Sequence, residues 1–139
     1  MVQSVGKGVQ SPKPRLMLVT SDGFCHSVVS DVLMHHGFAP AQHNTSVRAM
    51  IADVSDNNAD LILIDESLAD LTPFEAVRML RAAAQAEKPL KAVLLSSRAT
   101  RGTVERAREA GFDALVSKPV SPTPLVRTLR ALTFEPSGV

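Results

Sequence analysis

The sequence contains no tryptophan, no tyrosine and a single cysteine, and the scarcity of cysteine excludes a small domain held together by disulfides. The lone thiol, Cys25, cannot form an internal disulfide, which is typical of proteins from the reducing cytosol. No apolar run is longer than four residues, whereas a membrane-spanning helix needs roughly 20. Neither sign of charge dominates, because 15 Lys and Arg residues stand against 14 Asp and Glu. The sequence therefore predicts a cytoplasmic protein whose partners include neither nucleic acid nor a membrane.

A chain of 139 residues has room for one domain with a sizeable hydrophobic core. Residues 1–14 are rich in Ser, Gly, Lys, Gln and Pro and contain no apolar stretch, so they do not resemble a signal peptide. We expect a disordered tail or linker over 1–14, a folded domain over 15–134 and a short tail over 135–139.

Short apolar runs alternate with longer amphipathic stretches along the chain. The runs are apolar on both faces, as the central strands of a parallel sheet are, and they occupy 16–19, 61–64, 92–95 and 114–116. A weaker candidate at 39–43 contains Pro40, which only an edge strand tolerates. Helical periodicity is found between the runs, at 24–33, about 46–54, 73–80, 103–110 and 122–132. This alternation predicts an α/β fold, namely a flavodoxin-like, doubly wound parallel sheet of five strands with five helices in a single domain.

A carboxylate, a hydroxyl and an ammonium group follow three of the predicted strands. Asp65 directly follows 61–64, Ser96 follows 92–95, and Lys118 follows the last strand and precedes Pro119. Because ligands of open parallel sheets gather at the carboxyl ends of the strands, we expect these three side chains at one edge. Taken alone, Asp65 could simply cap its loop and pair with Lys118, since a carboxylate after an apolar run needs a partner or solvent.

The combination of these residues resembles the receiver domains of bacterial response regulators, over roughly 15–132. The pair 110–111, followed by six residues and then 118–119, is a further match to that family. The resemblance implies a role in two-component phosphorelay signalling, in which Asp65 accepts a phosphoryl group from a histidine kinase or phosphotransfer protein. It also implies that Ser96 hydrogen-bonds this group, that Lys118 offers it a positive charge and that the Lys118–Pro119 bond is cis. The chain would then be a signalling domain rather than an enzyme, at most phosphorylating itself from a phosphodonor.

The family's magnesium site is only partly represented. The resemblance implies Mg²⁺ held by Asp65, by the backbone carbonyl of Ser67 and, above all, by two adjacent acidic residues after the first strand. Those two positions are occupied by Thr20 and Ser21, and Asp22 comes one residue too late unless a slip or bulge brings it in. Mg²⁺ usually needs one or two carboxylates to offset its dehydration. We therefore expect weak Mg²⁺ binding and slow or absent phosphorylation, because phosphoryl transfer depends on the metal for charge neutralisation.

Two further positions depart from the family pattern. Three residues before the lysine, where the family usually has an aromatic that moves with the hydroxyl, this chain has Leu115. Ser96 and Leu115 are therefore the predicted switch residues, without the aromatic group. Ala69 replaces the proline that is common in the loop after the aspartate.

Several interpretations stay open. The chain is either a phosphorylatable receiver switched by a histidine kinase or a degenerate receiver that works mainly by protein docking, and the missing acidic pair favours the second. It could be a stand-alone regulator or part of a hybrid histidine kinase, whose receivers the stretch 110–119 resembles more. A flavodoxin-like flavin protein is a distant alternative, since 20–23 only weakly resembles a phosphate loop. A cobalamin-binding domain would need the pattern D-x-H-x-x-G, which 22–24 do not supply.

We expect four histidines to lie at surfaces or helix ends: His26, His35, His36 and His43. Six arginines put positive charge around the last two helices, which is either a solvated surface or, as the resemblance implies, a docking surface: Arg98, Arg101, Arg106, Arg108, Arg127 and Arg130.

Overall fold

The computed structural model describes residues 13–57, 59–84 and 89–133. Its five strands are β1 (Leu16–Val19), β2 (Gln42–Asn44), β3 (Leu61–Asp65), β4 (Lys91–Ser96) and β5 (Ala114–Ser117). Its five helices are α1 (Gly23–His35), α2 (Val47–Asn57), α3 (Pro73–Ala83), α4 (Arg101–Ala110) and α5 (Pro122–Thr133). The predicted alternation of five strands and five helices is confirmed. The predicted tail over 135–139, and all but the last two residues of the one over 1–14, lie outside the described residues.

The strands form one parallel sheet in the order β2-β1-β3-β4-β5. Strand β3 is central, and all five of its residues are buried. Asp65 is the last residue of β3 and pairs with Leu95 of β4, so the carboxylate belongs to the strand rather than to the loop after it. The doubly wound parallel sheet predicted from the apolar runs is thereby confirmed.

The two faces of the sheet carry separate hydrophobic cores. Because side chains alternate along a strand, Ile62 and Ile64 enter one core while Leu61 and Leu63 enter the other. The first core includes residues of α2, α3 and α4: Val47, Met50, Val77, Leu80 and Ala107. The second includes residues of α1 and α5: Val29, Leu33, Leu125 and Leu129. Each fully buried aliphatic side chain contributes roughly 1.5–3 kcal/mol, so the apolar runs explain both the sheet and its two helical layers.

The structure differs from the sequence-based expectation mainly at the edges of elements. Strand β2 begins at Gln42, after Pro40, rather than over 39–43. Proline has no N–H to donate to the ladder, and the pairing with β1 begins where Met17 lies opposite Gln42. Helix α2 extends to Asn57 rather than 54, and α4 begins at Arg101 because Thr100 accepts a hydrogen bond from the Thr103 N–H as its N-cap.

Two of the predicted helix boundaries are formed as the sequence indicates. Thr72 caps α3 in a capping box: its hydroxyl accepts from the Glu75 N–H at 3.1 Å, and the Glu75 carboxylate accepts from the Thr72 N–H at 3.1 Å. Pro73 occupies the first position of that helix. Gly111 ends α4 with a φ of 117°, in the left-handed region that favours glycine. None of the helices within the described ranges is long and apolar enough to cross a membrane.

Candidate functional site

Asp65 lies at the carboxyl end of the central strand and is fully buried, with 0% exposure. Its Oδ1 accepts a hydrogen bond from the Lys118 ammonium at 2.8 Å. Its Oδ2 accepts one from the Thr20 hydroxyl at 2.5 Å. Each carboxylate oxygen therefore has a close donor from the end of another strand, Thr20 after the neighbouring β1 and Lys118 after β5, which satisfies a buried charge that would otherwise be costly.

Lys118 reaches Asp65 from the residue after β5. Its backbone N–H donates to the Ser96 carbonyl at 2.9 Å, and the Lys118–Pro119 peptide bond is cis. Burial by itself would lower the pKa of Lys118, but the hydrogen bond and the negative charge of Asp65 outweigh it and raise that pKa above its usual value. Lys118 is therefore held as a cation beside the carboxylate.

Asp22 stands at the rim of this ion pair. Its Oδ1 accepts from the Phe24 N–H at 3.0 Å and caps α1, while its Oδ2 lies 3.8 Å from the Lys118 ammonium. Its backbone N–H donates to the Thr20 hydroxyl oxygen at 2.9 Å. The carboxylate is thus near the site, although its first role is to cap the helix.

The backbone carbonyl of Ser67, the other expected metal ligand, is also engaged. It accepts from the Ser21 hydroxyl at 2.9 Å and from the Ser21 N–H at 3.2 Å. Ser21, which stands where the family has an acidic Mg²⁺ ligand, is therefore bonded directly to the Ser67 carbonyl, which is the other expected ligand. Across the described part of the chain, no group of three or more His, Cys, Asp or Glu side chains is placed to hold a metal ion. In this arrangement the Ser67 carbonyl and both oxygens of Asp65 are bonded to donors of the chain itself.

Ser96 makes no hydrogen bond to Asp65 in this structure. Its hydroxyl donates to the Glu66 carboxylate at 2.8 Å, and the same carboxylate accepts from the Ser97 N–H at 3.0 Å and the Ser97 hydroxyl at 2.7 Å. Burial would raise the pKa of Glu66, but these three hydrogen bonds outweigh it and lower that pKa below its usual value. No role was predicted for Glu66 from the sequence, in which its position directly after Asp65 is the one visible signal.

The family model described as "Response regulator receiver domain" matches residues 16–130. The chain belongs to this receiver domain family. The interpretation drawn from Asp65, Ser96 and the Lys118–Pro119 pair is thereby confirmed at the level of the family and its place in two-component signalling.

Individual relatives of this receiver domain are distant. It is 25% identical to the two-component response regulator ORR3 of Oryza sativa subsp. indica over 121 residues, covering 87% of this chain and 92% of that protein. It is 28% identical over 119 residues to the DNA-binding response regulator MtrA of Mycobacterium tuberculosis, covering 86% of this chain but 50% of MtrA. The receiver domain therefore spans about half the length of MtrA.

The fold of this receiver domain is shared with solved structures. One is the receiver domain of the sensor histidine kinase PA1611 from Pseudomonas aeruginosa PAO1, crystallised with a magnesium ion coordinated in its active-site cleft. The two agree with a TM-score of 0.75 at 21% identity, over 87% of this chain and 98% of that chain. At this identity the similarity establishes the fold.

The remaining predicted residues lie around the receiver site without joining it. Leu115 is half-buried and packs against the core of α2, α3 and α4. The rings of His26 and His43 stack with centroids 3.8 Å apart, and His43 Nε2 lies 3.1 Å from the Thr20 carbonyl oxygen. His35 and His36 are exposed at the end of α1, as expected. The six arginines named above are all exposed, and Arg106 lies over the Phe74 ring at 4.6 Å.

Proposed function

We propose that this receiver domain acts mainly through protein–protein docking, and that its phospho-acceptor position, Asp65, is phosphorylated slowly or not at all. One observation carries the proposal: both oxygens of Asp65 are already held by chain donors, Lys118 Nζ at 2.8 Å and Thr20 Oγ1 at 2.5 Å. Asp65, Ser96 and Lys118 are the residues we assign to phosphoryl chemistry, with Ser96 and Leu115 as the switch pair. The domain is then a signalling module and not an enzyme.

The argument for a weakened metal site is one of charge. Receiver domains typically bind Mg²⁺, and the residues available to it here are Asp65, the Ser67 carbonyl and, by a rearrangement, Asp22. Thr20 and Ser21 supply neutral hydroxyls where the family resemblance implies carboxylates. A bound ion would have to displace Ser21, whose N–H and hydroxyl both bond the Ser67 carbonyl, and it would share Asp65 with the Lys118 ammonium, which repels a dication. Without the acidic pair Mg²⁺ then has too few anionic oxygens to offset its dehydration.

The proposed partners are a histidine kinase or a phosphotransfer protein, or other domains of a hybrid kinase. The exposed arginines around α4 and α5 give a positive face to which an acidic partner surface can dock. The receiver of PA1611 belongs to a sensor histidine kinase, which makes a hybrid-kinase origin a concrete form of the proposal beside a stand-alone regulator. MtrA is a DNA-binding regulator, but because 15 basic residues are balanced by 14 acidic ones, we propose a cytoplasmic domain that does not itself bind nucleic acid.

The test is to incubate the full chain with Mg²⁺ and either a small phosphodonor or beryllofluoride, and to follow it by intact mass and amide NMR. We expect little response from the unaltered chain and a clear response from Ser21→Asp, which restores a carboxylate beside the Ser67 carbonyl. Ser30→Asp, which adds the same charge at an exposed position of α1, is the matched control and should stay unresponsive. Asp65→Asn should abolish any response in every background.

The alternative is a fully phosphorylatable receiver, and the retention of Asp65, Ser96 and Lys118 is the observation that favours it. Strong modification of the unaltered chain at Asp65, removed by Asp65→Asn, would establish this alternative and refute the docking proposal. A flavin phosphate is not supported, because the carboxylate of Asp22 occupies the N-terminus of α1 where such a group would bind.

A further inference from the structure

The Glu66 carboxylate collects three hydrogen bonds at the carboxyl end of β4. It accepts from the Ser96 hydroxyl at 2.8 Å through one oxygen, and from the Ser97 N–H at 3.0 Å and hydroxyl at 2.7 Å through the other. Its own N–H donates to the Leu95 carbonyl at 2.9 Å, which fixes the backbone beside β4. An ordinary solvated glutamate would not have two serine hydroxyls and a backbone amide directed at it.

Ser96 has little freedom to serve two acceptors. Its side chain lies in a residue with 3% exposure, and its oxygen already accepts from the Arg98 N–H at 3.0 Å. The hydroxyl has a single proton, which it gives to Glu66 at 2.8 Å, the Arg98 carbonyl at 3.5 Å being the more distant acceptor. A phosphoryl group on Asp65 could receive that proton only if Glu66 gave it up.

The position of Glu66 makes it a competitor as well as an acceptor. It directly follows Asp65, the last residue of β3, and its negative charge contributes to the raised pKa of Lys118. A second anion arriving at Asp65 would meet this charge, and it would find the donors of Ser96 and Ser97 already engaged.

We propose that Glu66 is an internal anionic ligand that occupies the Ser96 and Ser97 donors and so competes with a phosphoryl group at Asp65. It is a positioning residue: it acts on Ser96 and not on the reacting atoms. The inference rests on the proposed function in taking Asp65 as the phospho-acceptor position. It adds a second barrier to phosphorylation, which does not depend on the metal site.

The test uses beryllofluoride with Mg²⁺ as the probe, on the full chain carrying Ser21→Asp, Glu66→Gln or both. Glutamine keeps the size of the side chain and removes its charge. We expect the double variant to bind the probe about tenfold more tightly than Ser21→Asp alone, because the competing anion is gone. Glu105→Gln, which removes the same charge from an exposed position of α4, is the matched control and should leave the affinity unchanged.

A second measurement tests, without any probe, whether the Glu66 carboxylate binds the Ser97 donors in solution. In Glu66→Gln the Ser97 amide resonance should move from its position in the unaltered chain, because the carboxylate to which this N–H donates at 3.0 Å has lost its charge. Glu66→Asp, which keeps the charge on a shorter side chain, should restore most of the competition. The far-UV circular dichroism of each variant verifies that it is folded.

The outcomes separate the two proposals. If Ser21→Asp responds but Glu66→Gln adds nothing, the role of Glu66 is wrong and the metal argument stands. If Glu66→Gln without Ser21→Asp responds as strongly as the double variant, Glu66 is the barrier and the metal argument is wrong, whereas a response of the double variant alone supports both barriers. If no variant responds, both are overturned.

Discussion

Removing the Lys118 ammonium is the sharpest test of how the resting site is held together. Lys118→Met keeps the length of the side chain and deletes its charge. Asp65 would then be a fully buried carboxylate whose Oδ1 has lost its 2.8 Å donor, while Oδ2 keeps the Thr20 hydroxyl. Folding would have to place this carboxylate in the core without its counter-ion.

The size of the effect follows from the burial of the pair. Breaking a buried ion pair by removing one partner costs about 3–5 kcal/mol in free energy of unfolding. We expect about 3 kcal/mol, at the lower end, because the Lys118 side chain is 15% exposed and Thr20 still donates to Asp65. In a domain of this size that loss corresponds to a fall in Tm of roughly 10 °C.

A double-mutant cycle isolates the contact. In an Asp65→Asn background the buried charge is absent, so Lys118→Met should cost much less, giving a coupling energy of about 2 kcal/mol. Because the chain has no tryptophan or tyrosine, urea unfolding is best followed by far-UV circular dichroism at pH 7. Lys91→Met at the start of β4, where the residue is half-buried, is the control and should cost under about 1 kcal/mol. Equal losses from Lys118→Met in both backgrounds would refute the reasoning.

Two further predictions concern stability away from the ion pair. Gly111→Ala should lower the free energy of unfolding by about 1–2 kcal/mol, because φ is 117° and a Cβ would lie 3.3 Å from the Arg81 guanidinium. Gly102→Ala, with open space around it in α4, is the control and should be neutral or stabilising. Urea unfolding of both variants gives the comparison. Burial and the neighbouring His43 lower the pKa of His26 below its usual value, so protonation opposes folding and stability should fall as pH drops from 7 to 5. In His26→Gln the fall in Tm over this range should be smaller, and an unchanged pH dependence would contradict the assignment.

The strands and the main site residues were predictable because their causes are local. A run of four apolar residues is costly to leave in water wherever it occurs, and a parallel sheet buries both of its faces. Asp65 and Ser96 each follow such a run directly, and Lys118 comes two residues after a shorter one, so the carboxyl edge of the sheet could be inferred before the strand order was known. The boundaries of β2 were less predictable, since a three-residue edge strand carries little hydrophobic signal.

The contacts within the site depend on the strand order, which no local pattern contains. Thr20 and Asp65 are 45 residues apart, and they meet because β1 and β3 are neighbours in the sheet. Thr20 was predicted only to replace an acidic metal ligand, and no local pattern indicated that its hydroxyl would bond Asp65. Likewise Asp22 was predicted to come one residue too late for the metal site, and the structure shows a helix cap whose second oxygen lies 3.8 Å from Lys118.

By itself the sequence determined the family, the five-stranded architecture and the place of Asp65 at the end of the central strand, since hydrophobic periodicity and residue type act at short range. Only the tertiary structure decided which hydroxyl donates to which carboxylate: Thr20 donates to Asp65, and Ser96 donates to Glu66 across 30 residues of chain. Hydrogen bonds need donor and acceptor within about 3 Å. That proximity is created by the packing of β1, β3 and β4 side by side, and it leaves Asp65 bound by its own chain.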